Sequence, residues 1–425
     1  MAQQNNNKAI TLKTITDAAS GRALYIWGAG NQGRGLCQAF IRQGIKPFGF
    51  IDTSSEMQKL EPLGVQVFSP ESVLQSKAIS KKPFIIIASF FFETEIAQLC
   101  QNAGFVKFTD FIPYTAIKPF DYAVDISGIC NLRCMSCPRA QRADERSEEG
   151  FMAYDTFTMV LDKIIAEDPF AGSIQLYQWG EPLLNDHVAK MISYANSRGI
   201  QCAVSSNLNN SRNLEAAVKA QPGWFRISVS GIGSHYEKTH TGGSWEKFRS
   251  NFFLLSQLRQ QYNPNMKTEV YYHLYKHNQG EDLQTIATMC KKAGFEFHPV
   301  FAYVISLDDV LAHLEGKALP KEALEVSAML ALSLEEGMAL AKAEKEKECQ
   351  TLRCIHVNWD LSVSGCMMFY YAKNNRTTDN FLTTSLADII EKRNANPLCG
   401  RCKKQALHRY CSVYSTKKPT VSFEL

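Results

Sequence analysis

Nine of the thirteen cysteines fall into two groups, and their spacing could organise metal chemistry. Cys130, Cys134 and Cys137 form a tight C-x3-C-x2-C directly after an apolar run. Iron–sulfur cubanes are normally held by four thiolates, so three leave one iron open to a further ligand. A structural zinc site wants four ligands, usually as C-x2-4-C pairs, and no histidine stands near enough in sequence to complete one here. The second group is Cys349, Cys354, Cys366, Cys399, Cys402 and Cys411, near the end of the sequence. Cys37, Cys100, Cys202 and Cys290 are single and lie among apolar neighbours, as small core residues do.

Composition limits what these groups can be. Lysine and arginine total 46 against 42 acidic residues, a net +4 over 425 residues, which gives no case for a nucleic-acid or membrane-surface partner. Apolar residues are 45% and charged residues 21%, enough to bury a sizeable core. No apolar run approaches the roughly 18 residues of a membrane span, and Met1–Ser20 lacks an apolar export segment. The expectation is a cytoplasmic protein without membrane contact, whose thiols stay reduced and are not a disulfide framework.

The elements that must position these residues read as two β/α series, an α/β fold class. Ala23–Trp27, Phe48–Ile51, Val65–Phe68, Phe84–Ala88 and Val106–Phe108 predict strands, with helices after Gly33 and over Glu93–Asn102. Runs that are apolar throughout predict a parallel sheet covered on both faces, a Rossmann-like domain over residues 1–115. Within it, Gly28-Ala29-Gly30-Asn31-Gln32-Gly33 follows a strand and opens a helix, and Asp52 ends the next strand. Gly28, Gly30, Gly33 and Asp52 are therefore candidates for nucleotide binding.

From Phe120 a second series predicts strands at Tyr122–Ser127, Ser173–Gln178, Gln201–Ser205, Phe225–Val229, Thr268–Leu274 and Phe295–Phe301, alternating with helices. This is a partial (β/α)6 barrel over 116–305, open or closed. Pro320–Lys347 predicts a long amphipathic helical connector (306–348), and 349–425 a small cluster- or metal-stapled module.

Cys130-Asn131-Leu132-Arg133-Cys134-Met135-Ser136-Cys137 is similar to the cluster loop of radical S-adenosylmethionine (SAM) enzymes. Trp179-Gly180-Glu181-Pro182-Leu183 resembles that family's "GEP" segment, which holds the methionyl amino group. Ser206-Asn207 and Ser228-Val229-Ser230-Gly231 resemble its ribose and carboxylate contacts. The resemblance implies a SAM-binding [4Fe–4S] cluster on Cys130, Cys134 and Cys137, with Gly180, Glu181, Ser206, Asn207, Ser228, Ser230 and His240 around SAM. Two positions depart from the pattern: Ser136 stands where an aromatic is common, and His240 where an arginine often pairs with the SAM carboxylate.

Cys354-x11-Cys366 followed by Cys399-x2-Cys402 resembles the twitch or shortened SPASM extension of the same family. That implies a second, auxiliary [4Fe–4S] cluster on Cys354, Cys366, Cys399 and Cys402. A zinc knuckle on the same four thiolates stays open on spacing alone. The run from Tyr25 to Asp52 resembles the nucleotide-sugar-side Rossmann domains of sugar-modifying enzymes. Together these imply an oxidoreductase acting on a sugar or nucleotide sugar, with a flavodoxin- or ferredoxin-type electron donor. The aminocyclitol dehydrogenases it resembles oxidise a hydroxyl-bearing carbon. Epimerisation would need a hydrogen donor such as Cys202, Cys349 or Cys411. Peptide modification and an iron–sulfur sensor are the other readings. Tyr271, His273 and His298 fit barrel packing as well as catalysis.

Overall fold

The structure, a computed structural model, describes residues 10–55, 57–75, 81–89, 92–117, 120–141, 149–371 and 375–417. They form two compact units, one of Met1–Asp121 with Ile164–Ser173 and Ser197–Gln201, the other of Tyr122–Lys163, Ile174–Asn196 and Cys202–Leu425. No helix among the described residues is long and apolar enough to cross a membrane.

The first unit holds a five-stranded sheet of β1 (Leu24–Trp27), β2 (Gly49–Ile51), β3 (Val67–Phe68), β4 (Phe84–Ile87) and β5 (Phe111–Ile112). Its order is β3-β2-β1-β4-β5, parallel throughout, the doubly wound arrangement with the order reversing between β1 and β4. Alternate side chains enter two cores. Ile26, Phe50 and Ile86 meet Leu36 and Phe40 of helix Asn31–Arg42, while Tyr25, Ile85 and Phe111 meet Val73 and Ile96. Strands covered on both faces must be apolar at every position, which is why they were legible as unbroken runs. Gly33 is required where the helix leaves the sheet, because a Cβ there would lie 1.8 Å from the Gly28 carbonyl oxygen.

One strand differs from expectation. The fifth is Phe111–Ile112, paired with Ile85 and Ile86, rather than Val106–Phe108. Val106 and Phe108 are each 57% exposed, and Phe108 takes φ +65°, which ends extended structure.

In the second unit, β6 (Asp121–Val124), β7 (Ser173–Gln175), β8 (Gln201–Ser206), β9 (Trp224–Val229), β10 (Lys267–Leu274) and β11 (Glu296–Phe301) lie side by side in chain order. Each matches a predicted strand to within a few residues. The sheet is open: β11 ends one side, and beyond β6 it continues into β12 (Cys354–Val357), β13 (Val363–Ser364) and β14 (Arg376–Thr378). Asp125 N–H donates to Val357 O at 2.8 Å, tying the tail to the first barrel strand. Along β9 and β10, Phe225, Ile227, Val229, Val270, Tyr272 and Leu274 are fully buried, whereas Arg226, Ser228, Tyr271 and His273 are half-buried on the other face. This sheet therefore carries a polar face, unlike the first.

The predicted connector is two helices, Lys321–Met329 and Leu334–Ala343, instead of one. Ser333 caps the second in a capping box with Glu336, and Tyr414 Oη donates to Ser333 O at 2.7 Å. Leu334 and Met338 are buried with Tyr410 and Tyr414, while Leu324 is 54% exposed. The segment is core of the tail rather than a spacer.

The reassigned fifth strand makes a direct prediction. Phe111→Ala should cost about 3–5 kcal/mol in urea unfolding, and Phe108→Ala no more than about 0.5 kcal/mol. Similar losses at both positions would return the strand to 106–108.

Candidate functional site

The cysteine loop runs from the end of β6 to the turn Pro138–Gln141. Arg133 N–H donates to Thr241 O at 2.8 Å and Met135 N–H to Thr239 O at 3.2 Å, so the loop is pinned at both sides of Cys134. Cys130, Cys134 and Cys137 are all half-buried. Burial pushes the Cys130 thiol up to about 12, and the charges of Glu181 and Cys137 push the same way. Cys134 is raised well above its usual value, first by burial and then by Cys137 and Cys130. Three sulfurs that oppose one another's ionisation form a donor set that needs a cation to become thiolates, as a cluster-binding loop requires.

Glu181 reaches the same place from the loop after β7. The backbones cross so closely that a Cβ on Gly180 would lie 1.6 Å from Ser127 O, so only glycine fits. Glu181 N–H then donates to Ile129 O at 2.8 Å. Its carboxylate, 3% exposed, accepts Asn207 N–H at 2.9 Å and Leu183 N–H at 3.2 Å. Burial still pushes it up to about 7, against those hydrogen bonds. Asn207, just past β8, donates through Nδ2 to Asn131 Oδ1 at 3.0 Å and lies 3.7 Å from Cys130 Sγ. Ser206 Oγ accepts Leu208 N–H at 3.0 Å and closes the turn beneath it. Ser228 is half-buried at the end of β9, and Ser230, buried just after it, accepts the Thr239 hydroxyl on its carbonyl.

His240 does not offer a cation. It is 5% exposed, stacks on Tyr236 at 4.4 Å between centroids, and lies 3.1 Å through Nδ1 from Thr239 Oγ1. Burial pushes it down to about 4, so at neutral pH the ring is uncharged.

Sequence reasoning missed Asp125. One of its oxygens accepts the backbone N–H groups of Trp179 at 2.8 Å and Gly180 at 3.4 Å, holding the loop that carries Glu181. A lone aspartate at a strand end has no motif to announce it. Of the polar barrel-face residues, Arg226 stacks 4.0 Å over Tyr271. Glu269, Glu296 and His298 gather around Lys267, whose Nζ lies 2.8 Å from Glu269 and 3.2 Å from Glu296. Burial opposes charge on His298, but hydrogen bonds to both carboxylates raise it to about 9. With Lys267 already supplying the cation, this is an ion-pair network.

In the tail, one cavity is lined by Cys349, Cys366, Cys399, Cys402 and Cys411. Thr351 Oγ1 stands 3.1 Å from Cys349 Sγ and 3.6 Å from Cys366 Sγ. Cys399 and Cys402 sit on helix Pro397–Lys404. Cys354 does not line this cavity; it opens β12, and its carbonyl accepts Arg393 at 2.9 Å. Cys349, which does line it, directly precedes the short turn Gln350–Arg353.

In the first unit, Gly28, Gly30 and Gly33 shape the turn as expected. Asp52, however, accepts Ala29 N–H and Ser54 N–H, each at 2.9 Å, so both oxygens already serve the turn.

No protein-family model matches the chain, and no curated protein does. Among solved structures it is similar to BtrN in complex with AdoMet and 2-DOIA, at 15% identity over 72% of this chain and 95% of that one, TM-score 0.39. It is similar to Streptococcus suis SuiB bound to S-adenosylmethionine, at 12% identity over 74% and 79%, TM-score 0.47. It is similar to anSMEcpe with bound AdoMet, at 15% identity over 72% and 93%, TM-score 0.45.

The neutral His240 makes a pH prediction. An unfolded histidine titrates near 6.5, whereas folded His240 stays neutral down to about 4, so the unfolded chain binds the proton first. Its contribution is intact above about 6.5 and is lost as pH falls towards 4. Between those values the protein should lose on the order of 1–3 kcal/mol more stability than His240→Gln, measured by urea unfolding at each pH. Parallel curves would show that His240 is accessible to protons.

Proposed function

We propose that this chain is a radical SAM enzyme that oxidises a hydroxyl-bearing carbon of a sugar-like substrate. The observation that carries the reading is the convergence of the cysteine loop, the buried Glu181 and Asn207 at the ends of adjacent parallel strands, with Asn207 N–H 2.9 Å from the Glu181 carboxylate and its Nδ2 3.7 Å from Cys130 Sγ. Barrel-type active sites are built at that end.

The residues present suit two iron–sulfur groups. When bound, a [4Fe–4S] cluster on Cys130, Cys134 and Cys137 supplies the electron that cleaves SAM to a hydrogen-abstracting 5′-deoxyadenosyl radical, and a second cluster in the tail accepts the electron left on the substrate. Glu181, fixed by two backbone N–H groups, is the acceptor for the methionyl ammonium. Ser228 at the end of β9 and Asn207 just past β8 are hydrogen-bond donors for the rest of SAM. In the tail, Cys349, Cys366, Cys399 and Cys402 are the ligand set, with Cys411 hydrogen-bonded to the Tyr303 phenol. Cys202 is 1% exposed, so it does not serve epimerisation as a hydrogen donor. The glycine turn at Gly28–Gly33 offers backbone to a nucleotide-linked phosphate.

Anaerobically purified protein should hold about eight iron atoms per chain and cleave SAM once reduced. Cys349→Ala should lower the count to about four, whereas Cys354→Ala keeps about eight. About four irons with one zinc in the unaltered protein would make the tail a zinc knuckle, and no SAM cleavage at full iron loading would sink the enzyme reading.

A further inference from the structure

A cavity of about 410 Å³ opens in the second unit between the end of β6, the loop after β7 and the tail, within the usual size of a small-molecule site of roughly 300–1,000 Å³. Aromatic rings form its walls. Trp179 and Tyr370 meet edge to face at 5.4 Å, and Trp359 lies flat against the backbones of Gly128 and Gly150, where a Cβ would come within 2.3 and 2.2 Å of the indole. The two glycines are themselves paired, Gly128 N–H to Gly150 O at 2.8 Å, so the indole is seated on backbone.

The charges in the walls are mostly spoken for. Arg139 pairs with Glu149 at 2.9 Å. Arg376 pairs with Asp360 at 3.1 Å and Asp379 at 2.9 Å. Asp125 differs. It is 4% exposed, and one oxygen holds the Trp179 and Gly180 N–H groups. The other, Oδ1, is buried and has no hydrogen-bond partner among the described residues. Among the described lining residues it alone carries a buried side-chain polar atom in that state. A buried acceptor left without a donor is costly, so such an atom marks where a donor belongs.

We infer that this cavity is the substrate site and that Asp125 anchors there a saturated, polyhydroxylated ring through one hydroxyl or ammonium donor. The inference deepens the proposed function and rests on it for the reaction that follows binding. Aromatic faces carry partial negative charge and pack against the C–H faces of saturated rings. A carboxylate oxygen accepts one strong, directional bond from the ring edge. An extended peptide would instead draw on a row of main-chain bonds along a sheet edge, which a single buried side-chain oxygen does not supply.

The test is anaerobic calorimetric titration of the full, cluster-loaded chain with three probes: myo-inositol, glucosamine and triglycine. Either ring should bind and triglycine should not. A preference for glucosamine identifies the donor as an ammonium; equal binding identifies a hydroxyl. Asp125→Asn keeps an oxygen for the two backbone N–H groups but turns an N–H2 toward the free position, and should weaken ring binding about ten-fold or more. Tyr370→Ala, which leaves Asp125 in place, should weaken both rings alike, and thermal melting checks that each variant is folded. Binding of neither ring at millimolar concentration, binding of triglycine instead, or an unchanged affinity in a folded Asp125→Asn overturns the inference. SAM cleavage by the same preparation is scored separately. Cleavage without ring binding removes this inference and leaves the proposed function standing, whereas ring binding without cleavage does the reverse.

Discussion

The site depends on one steric constraint, the contact between two loop backbones at Gly180 and Ser127. No side chain larger than hydrogen permits it. Because the loops after β6 and β7 touch there, Asp125 and Cys130, which follow β6, and Glu181, which follows β7, come together. The hydrogen bonds that follow, Glu181 N–H to Ile129 O and Trp179 N–H to Asp125, hold the crossing in place. The result is a concentration of groups that disfavour one another's charge in a partly buried region. Such an arrangement is unfavourable by itself and becomes favourable when a cationic centre neutralises it. Binding is thus prepared by the fold.

The two sheets solve different problems with the same topology. In the first unit both faces are apolar, and the strands have nothing to present but backbone at their ends. In the second, alternate residues of β9 and β10 turn polar groups to the face opposite the helices, so chemistry can run along the sheet as well as at its ends. The two sequence patterns, continuous and alternating, differ accordingly.

How much was legible follows from this. The six barrel strands and the C-x3-C-x2-C loop could be read because periodicity and cysteine spacing are local signals. The fifth strand of the first unit could not, because Val106–Phe108 is as apolar as Phe111–Ile112 and only tertiary pairing distinguishes them. Cys349 and Cys354 both precede Cys366, and that Cys349 rather than Cys354 lines the tail cavity depends on the path of the backbone before β12, which no spacing encodes. Asp125 was invisible because its meaning lies in an oxygen left unfilled, and the stacking of His240 on Tyr236 is a property of burial that no motif announces.

The tail's addition of β12, β13 and β14 to the barrel sheet has a further consequence. β6 carries the cysteine loop at its end, and β12 is what makes it an interior strand. Without the tail, β6 would present a free row of backbone donors and acceptors, the kind of edge on which chains pair with one another and aggregate. The module that resembles an accessory therefore also covers the β6 edge of the barrel sheet, and removing it would leave that edge free to pair.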